Sequence, residues 1–253
     1  MLIRAVDRAD YRRVFWVSNG GGMDRTSVAR RGFLWMGAAA VVLSAPGSER
    51  LAGTGTGPSA VVIGDSQTGA GTWVDRGLAE LGYRTVLRGA GGTGYTKASG
   101  TTGRYHDALT RKEWLLPEGK PELVVLQGGG NDVGYASDQE LARAAEEMIT
   151  EMRRTYPLSR LVMVGVISSG PEPGPGGSRH AADRLLASVA RGQGVEFLAV
   201  GDWWTRFGLG QFLQPDGRHF TPAGHRAAGR VFARELGFLL AAGAAGPGEP
   251  GGP

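Results

Sequence analysis

Short unbroken apolar runs alternate along this chain with longer stretches in which apolar residues recur every three or four positions. The runs at 60–63, 85–87, 123–127, 161–167 and 195–200 predict strands. The periodic stretches predict helices at 73–81, 139–155, 179–191 and 222–240. In the third of these, Ala181, Leu185, Leu186 and Val189 share a face. The last has Thr221 in the N-cap position and Pro222 at the first helical position, a favoured start. Its apolar face holds Ala227, Val231, Phe232 and Leu236. The strand runs are continuous rather than alternating, which requires burial on both faces. The pattern therefore predicts an α/β fold, a three-layer α/β/α sandwich around a central, mainly parallel five-stranded sheet. Right-handed crossovers place every strand's C-terminal end on one edge, where ligands bind in open sheets.

The flanks read differently. Residues 46–58 are rich in Gly, Ser, Thr and Pro and read as a linker, and residues 241–253 read as a disordered Gly/Pro tail. The folded domain is expected over 59–240. Ahead of it, Arg30-Arg31-Gly32-Phe33-Leu34 precedes about a dozen apolar or small residues and then Pro46. That order of basic, apolar and small residues is that of an export signal, and the stretch is short for a bilayer span. It resembles a twin-arginine leader over 1–45, with Met23 as a second candidate start and cleavage expected after Ser44 or Ala45. The expected location is secreted or extracytoplasmic, with no stable membrane insertion once the leader is removed.

Charge and cysteine content narrow the chemistry. The net charge of +4 belongs to the leader: residues 1–45 carry seven Lys/Arg against three Asp/Glu, and the remainder holds 21 of each sign. A nucleic-acid partner gains no support from that balance. The absence of cysteine excludes disulfides, thiolate metal sites and thiol catalysis.

Candidate chemistry sits at the strand ends. The first run stops at Gly64-Asp65-Ser66, delivering a serine to the rim of the sheet. Asp216-Gly217-Arg218-His219 puts a carboxylate and an imidazole on one short loop. A serine hydroxyl attacks an acyl carbon only with a base in reach, and the base needs an orienting carboxylate. Ser66, His219 and Asp216 supply those three groups. Alone, Ser66 would read as a helix N-cap and Asp216 as a turn residue; together they favour catalysis.

Two further segments complete an ordered set: Gly91-Gly92, within Gly89-Ala90-Gly91-Gly92-Thr93-Gly94, and Gly128-Gly129-Gly130-Asn131-Asp132. With Gly64-Asp65-Ser66 and the Asp216–His219 segment, they resemble in order four blocks of the SGNH hydrolases, also called the GDSL esterase/lipase family. The resemblance covers most of residues 60–225. It implies the flavodoxin-like SGNH fold, Ser66 as nucleophile with His219 and Asp216, and an oxyanion hole formed by Ser66, Gly92 and Asn131. It implies no cofactor and no metal. Asp65 and Asp132 are expected to hold loops through backbone N–H groups. The chain departs from the family in having Gln67 where Leu is usual and Leu87 where an Asn often opens the second block.

The expected function is a secreted serine esterase whose substrate is an acetylated carbohydrate, a short-chain acyl ester or a lipid. An acyltransferase would use the same groups, and a non-catalytic carbohydrate-binding protein would share the fold. The segment 89–94 also fits G-x-G-x-x-G, but it runs into a polar loop instead of opening a helix, against a dinucleotide site. Trp203, Trp204 and Tyr95 are candidates for pocket lining or for core. His106 and His180 are expected at the surface, and His225 as a structural polar group. Pro171-Glu172-Pro173-Gly174-Pro175 is expected to form a stiff loop near the site.

Overall fold

The computed structural model describes residues 57–170 and 177–244. The expected leader, most of the expected linker, the expected loop at 171–175 and most of the expected tail lie outside the described residues. Five strands, β1 (Ser59–Gly64), β2 (Arg84–Gly89), β3 (Leu123–Gln127), β4 (Arg160–Val164) and β5 (Glu196–Leu198), form one sheet in the order β2-β1-β3-β4-β5. Every pairing is parallel. The helices are α1 (Trp73–Glu80), α2 (Tyr105–Thr110), α3 (Asp138–Thr155), α4 (Gly177–Gly192), α5 (Trp203–Arg206) and α6 (Pro222–Ala244), with one 3₁₀ turn at Leu209–Phe212. Among the described residues no helix is long and apolar enough to cross a membrane.

The continuous apolar strands feed two cores. Val61, Ile63, Val124, Leu126 and Met163 face α2, α3 and α4, where Tyr105, Met148, Ile149 and Leu186 are fully buried. Ala60, Val62, Leu123, Val125, Val162 and Val164 face the other layer, against Trp73, Leu78, Phe232 and Leu236 of α1 and α6. Successive side chains of one strand thus serve opposite layers, as the pleat dictates. Ser137 and Glu140 form a capping box at the start of α3, and Thr221 Oγ1 accepts the Gly224 N–H at 3.1 Å to cap α6.

Strand β2 extends past the expected 85–87 at both ends, whereas β4 and β5 stop short of their apolar runs. The run 161–167 ends as a strand at Val164, and the run 195–200 ends at Leu198. Asp183, reaching in from α4, is the reason. Its carboxylate accepts the Val166 N–H at 2.9 Å and the Val200 N–H at 3.4 Å, replacing ladder partners with one buried side chain. Helix α6 runs to Ala244, four residues past the expected end at 240.

Packing of α1 on α6 sets the position of the site. A Cβ on Gly77 would lie 2.5 Å from the Phe232 ring and 2.8 Å from the Gly229 carbonyl, so the helices touch nearly backbone to backbone. Phe232 meets Trp73 edge to face at 5.2 Å. Removing such a ring from a core costs about 3–5 kcal/mol. Helix α1 begins shortly after Ser66 and α6 shortly after His219, so this seam carries the two segments together. His225 Nδ1 accepts the Trp73 N–H at 3.2 Å, tying the starts of both helices.

Candidate active site

The order β2-β1-β3 makes the β1/β3 boundary the point where the chain reverses direction across the sheet, and a crevice opens there. Strand β1 stops at Gly64, where a Cβ would collide with Thr68 Oγ1 and sit 2.9 Å from the Gln127 carbonyl. A tight turn follows. The Asp65 carbonyl accepts the Thr68 N–H at 3.0 Å, and its carboxylate accepts the Gln67 N–H at 2.8 Å. This turn leaves Ser66 half-buried at the crevice while Asp65 lies beneath it. Burial pushes the Asp65 carboxyl up to about 6, against the Gln67 hydrogen bond and the positive charge of Arg179.

The second segment is a self-bonded loop. Gln214 donates its N–H to the His219 carbonyl at 2.7 Å, and an isolated antiparallel bridge joins Leu213 to Phe220. Asp216 Oδ1 accepts the N–H groups of Arg218 at 2.9 Å and His219 at 3.0 Å. Its other oxygen lies 2.6 Å from His219 Nδ1. One carboxylate therefore builds the turn and aligns the ring. The His219 amide, then the His219 ring, then the Arg218 amide hold the Asp216 carboxyl well below the usual carboxylate range. His219 Nε2 lies 2.9 Å from Ser66 Oγ. The continuous path from carboxylate to imidazole to hydroxyl is suited to taking a proton from the serine and giving it to a leaving group.

Across the crevice lie the glycine loop and Asn131. Gly92 has φ +78°, and a Cβ there would come within 2.7 Å of Ser99 Oγ, so glycine suits both the backbone and the space. Among the described residues, the N–H groups of Ser66 and Gly92 donate to no protein acceptor. The Asn131 side chain donates one N–H to the Thr93 carbonyl at 2.9 Å, and a primary amide has a second to offer. Gly129, at φ +102°, carries the chain toward Asn131 where a Cβ would lie 2.7 Å from Leu186. Asp132 accepts the N–H groups of Tyr95 at 3.1 Å and Thr96 at 2.7 Å, pinning the glycine loop to the end of β3.

Ser66, Gly91, Gly92, Asn131 and His219 line one cleft of about 380 Å³. Lys97, Arg179 and Arg218 line it as well. Lys97 and Arg179 carry no motif, and only the fold brings them here. Tyr95 and Trp203 are fully buried in the two cores instead of lining the cleft, and Trp204 packs against Gly210. His180 is buried rather than at the surface, its Nε2 lying 3.2 Å from the Gly170 carbonyl. His106 is half-buried beside Asp107.

The comparisons follow the same lines. The pattern of the GDSL-like lipase/acylhydrolase family matches residues 51–227. No curated protein matches the chain significantly. Among solved structures, an acetylxylan esterase from Geobacillus stearothermophilus is 21% identical, with a TM-score of 0.56 over 73% of this chain and 96% of that one. A carbohydrate acetylesterase from Sinorhizobium meliloti is 19% identical, with a TM-score of 0.54 over 72% and 99%. An aryl esterase of M. smegmatis is also 19% identical, with a TM-score of 0.52 over 72% and 100%. At these identities the likeness is one of fold. The family match spans most of the chain, and the chain belongs to the GDSL-like lipase/acylhydrolase family of ester-hydrolysing serine hydrolases.

Proposed function

We propose that this protein is an exported serine esterase that removes short acyl groups, acetyl foremost, from carbohydrate esters. The observation that carries the reading is the path Asp216–His219–Ser66, with contacts of 2.6 and 2.9 Å opening into a cleft. Ser66 Oγ attacks the acyl carbon while His219 Nε2 takes its proton. Asp216 keeps the ring oriented and stabilises the imidazolium. The N–H groups of Ser66 and Gly92 and the free N–H of Asn131 receive the oxyanion. His219 then gives its proton to the departing sugar oxygen, leaving an acyl-enzyme. A water that loses a proton to His219 releases the acid and restores Ser66.

The cleft wall favours a small acyl group. Its described lining residues are glycines and polar or charged side chains, with no Leu, Ile, Val, Met, Phe or Trp among them. Each methylene buried against apolar surface contributes about 0.8 kcal/mol, and the described wall offers a long chain no large apolar side chain. The carbohydrate acetylesterase and acetylxylan esterase among the structural neighbours are in keeping with a sugar ester. Export rests on the leader alone, and N-terminal sequencing of the protein recovered outside the cytoplasm tests it.

A panel of p-nitrophenyl esters from acetate to palmitate tests the acyl preference. The expected result is a kcat/KM highest for acetate and falling steeply beyond butyrate. An optimum at octanoate or longer would overturn it.

A further inference from the structure

Beside the cleft that holds Ser66 lies a second cavity of about 470 Å³. The two share Gly130, Asn131, Lys97, Arg179 and Arg218. The described lining of the second cavity contains these three cations and no carboxylate. Among the described residues, none of the three lies within ion-pair distance of an acidic side chain. Arg179 is held in place: its Nη1 donates to the Ile167 carbonyl at 3.2 Å, and a Cβ on Gly130 would lie 2.7 Å from that nitrogen. Lys97 Nζ lies 5.6 Å from the ring centroid of Tyr135, which is 59% exposed at the edge of the same cavity.

We propose that the sugar portion of the ester substrate carries a negative charge, a carboxylate or a phosphate, and that Lys97, Arg179 and Arg218 bind it beside the scissile bond. The inference rests on the esterase reading for the word substrate, and on cavity and charge for the rest. A short acyl group at Ser66 leaves the larger neighbouring cavity to the alcohol. Three cations facing one space repel one another: burial pushes the Arg179 guanidinium down, Asp65 opposes that shift, and Arg218 adds to it. An anion between them removes that repulsion. The nearby carboxylates are otherwise engaged. Asp132 accepts the Tyr95 and Thr96 amides, and Asp216 is bonded to His219. Asp65, the one carboxylate in the described lining of the Ser66 cleft, accepts the Gln67 amide and lies outside the described lining of the second cavity. The exposed face of Tyr135 offers a platform for the sugar ring.

Calorimetric titration of the full chain with glucuronate, glucose 6-phosphate and glucose tests the charge without requiring turnover. At low salt at least one anion is expected to bind about tenfold or more tighter than glucose, with the margin shrinking as salt rises. Which anion leads separates carboxylate from phosphate. Lys97→Ala is expected to reduce the margin about fivefold, and Arg179→Met at least as much. Equal affinity for all three sugars, or a margin unmoved by both substitutions, overturns the inference. Failure of the esterase reading has a different signature: no turnover of p-nitrophenyl acetate or of any acetylated sugar, whatever the binding preference.

Discussion

The side-chain amide of Gln67 donates to the Arg218 carbonyl across 3.3 Å, linking the turn that carries Ser66 to the loop that carries His219. Its oxygen accepts the Trp73 indole N–H at 3.0 Å in the core beneath. The residue that departs from the family's usual Leu is thus a buried brace between the two loops. Gln67→Leu keeps most of the volume and removes both bonds. It leaves the Trp73 N–H without that acceptor, at about 1–3 kcal/mol. Thermal denaturation should show a drop of several degrees, and kcat should fall more than KM rises. An unchanged Tm and kcat would show that the brace does not matter.

Asn131 is expected to act on the transition state. Asn131→Ala should lower kcat by about 10²–10³ with little change in KM. A rise in KM at constant kcat would assign the side chain to ground-state binding instead.

Asp132 acts at one remove, by holding the glycine loop through the Tyr95 and Thr96 amides. Asp132→Ala strands those buried donors and should destabilise the fold by about 1–3 kcal/mol. It should also lower kcat, because Gly92 loses its fixed position. Asp132→Asn retains an acceptor and should recover part of both losses. Variants with full activity and reduced stability would confine Asp132 to the fold.

Asp65 gives a pH signature. Burial raises its folded carboxyl from the ordinary 3.8 to about 6. Between those values the folded chain binds more protons than the unfolded one, so this group's contribution to stability falls as pH rises from about 4 to 6 and is flat above. The full span is about 3 kcal/mol at most. Asp183, pushed by burial to about 6 as well, has the same sign and is present in both proteins compared. The Tm of Asp65→Asn relative to wild type should therefore climb by several degrees between pH 4 and 7. A difference that falls over that range contradicts the assignment.

The sheet was legible because each strand holds a short run of mainly apolar residues, and β1 and β3 are buried along their whole length. The groups at the cleft were legible for a related reason. Ser66 and Asn131 follow strands directly, and Asp216 and His219 are three residues apart on one loop. Helices α2 and α5 and the 3₁₀ turn were not, since each is six residues or fewer and too short to display a period. The ends of β4 and β5 were hidden because a side chain on α4, Asp183, decides them. Arg179 and Lys97 were hidden for the same reason: their place at the cleft comes from helix packing and loop path, not from any local pattern. Tyr95 and Trp203 show the converse, as aromatic residues near the motifs that went to the cores.

Ser66, with its hydroxyl 2.9 Å from His219 Nε2, is the proposed nucleophile. Ser66→Ala removes one oxygen from a half-buried turn and should leave Tm within a degree or two of wild type. Steady-state hydrolysis of p-nitrophenyl acetate by this variant is the most direct test. The expected result is a loss of kcat of about 10³-fold or more. Retention of wild-type turnover by a folded Ser66→Ala protein would contradict it.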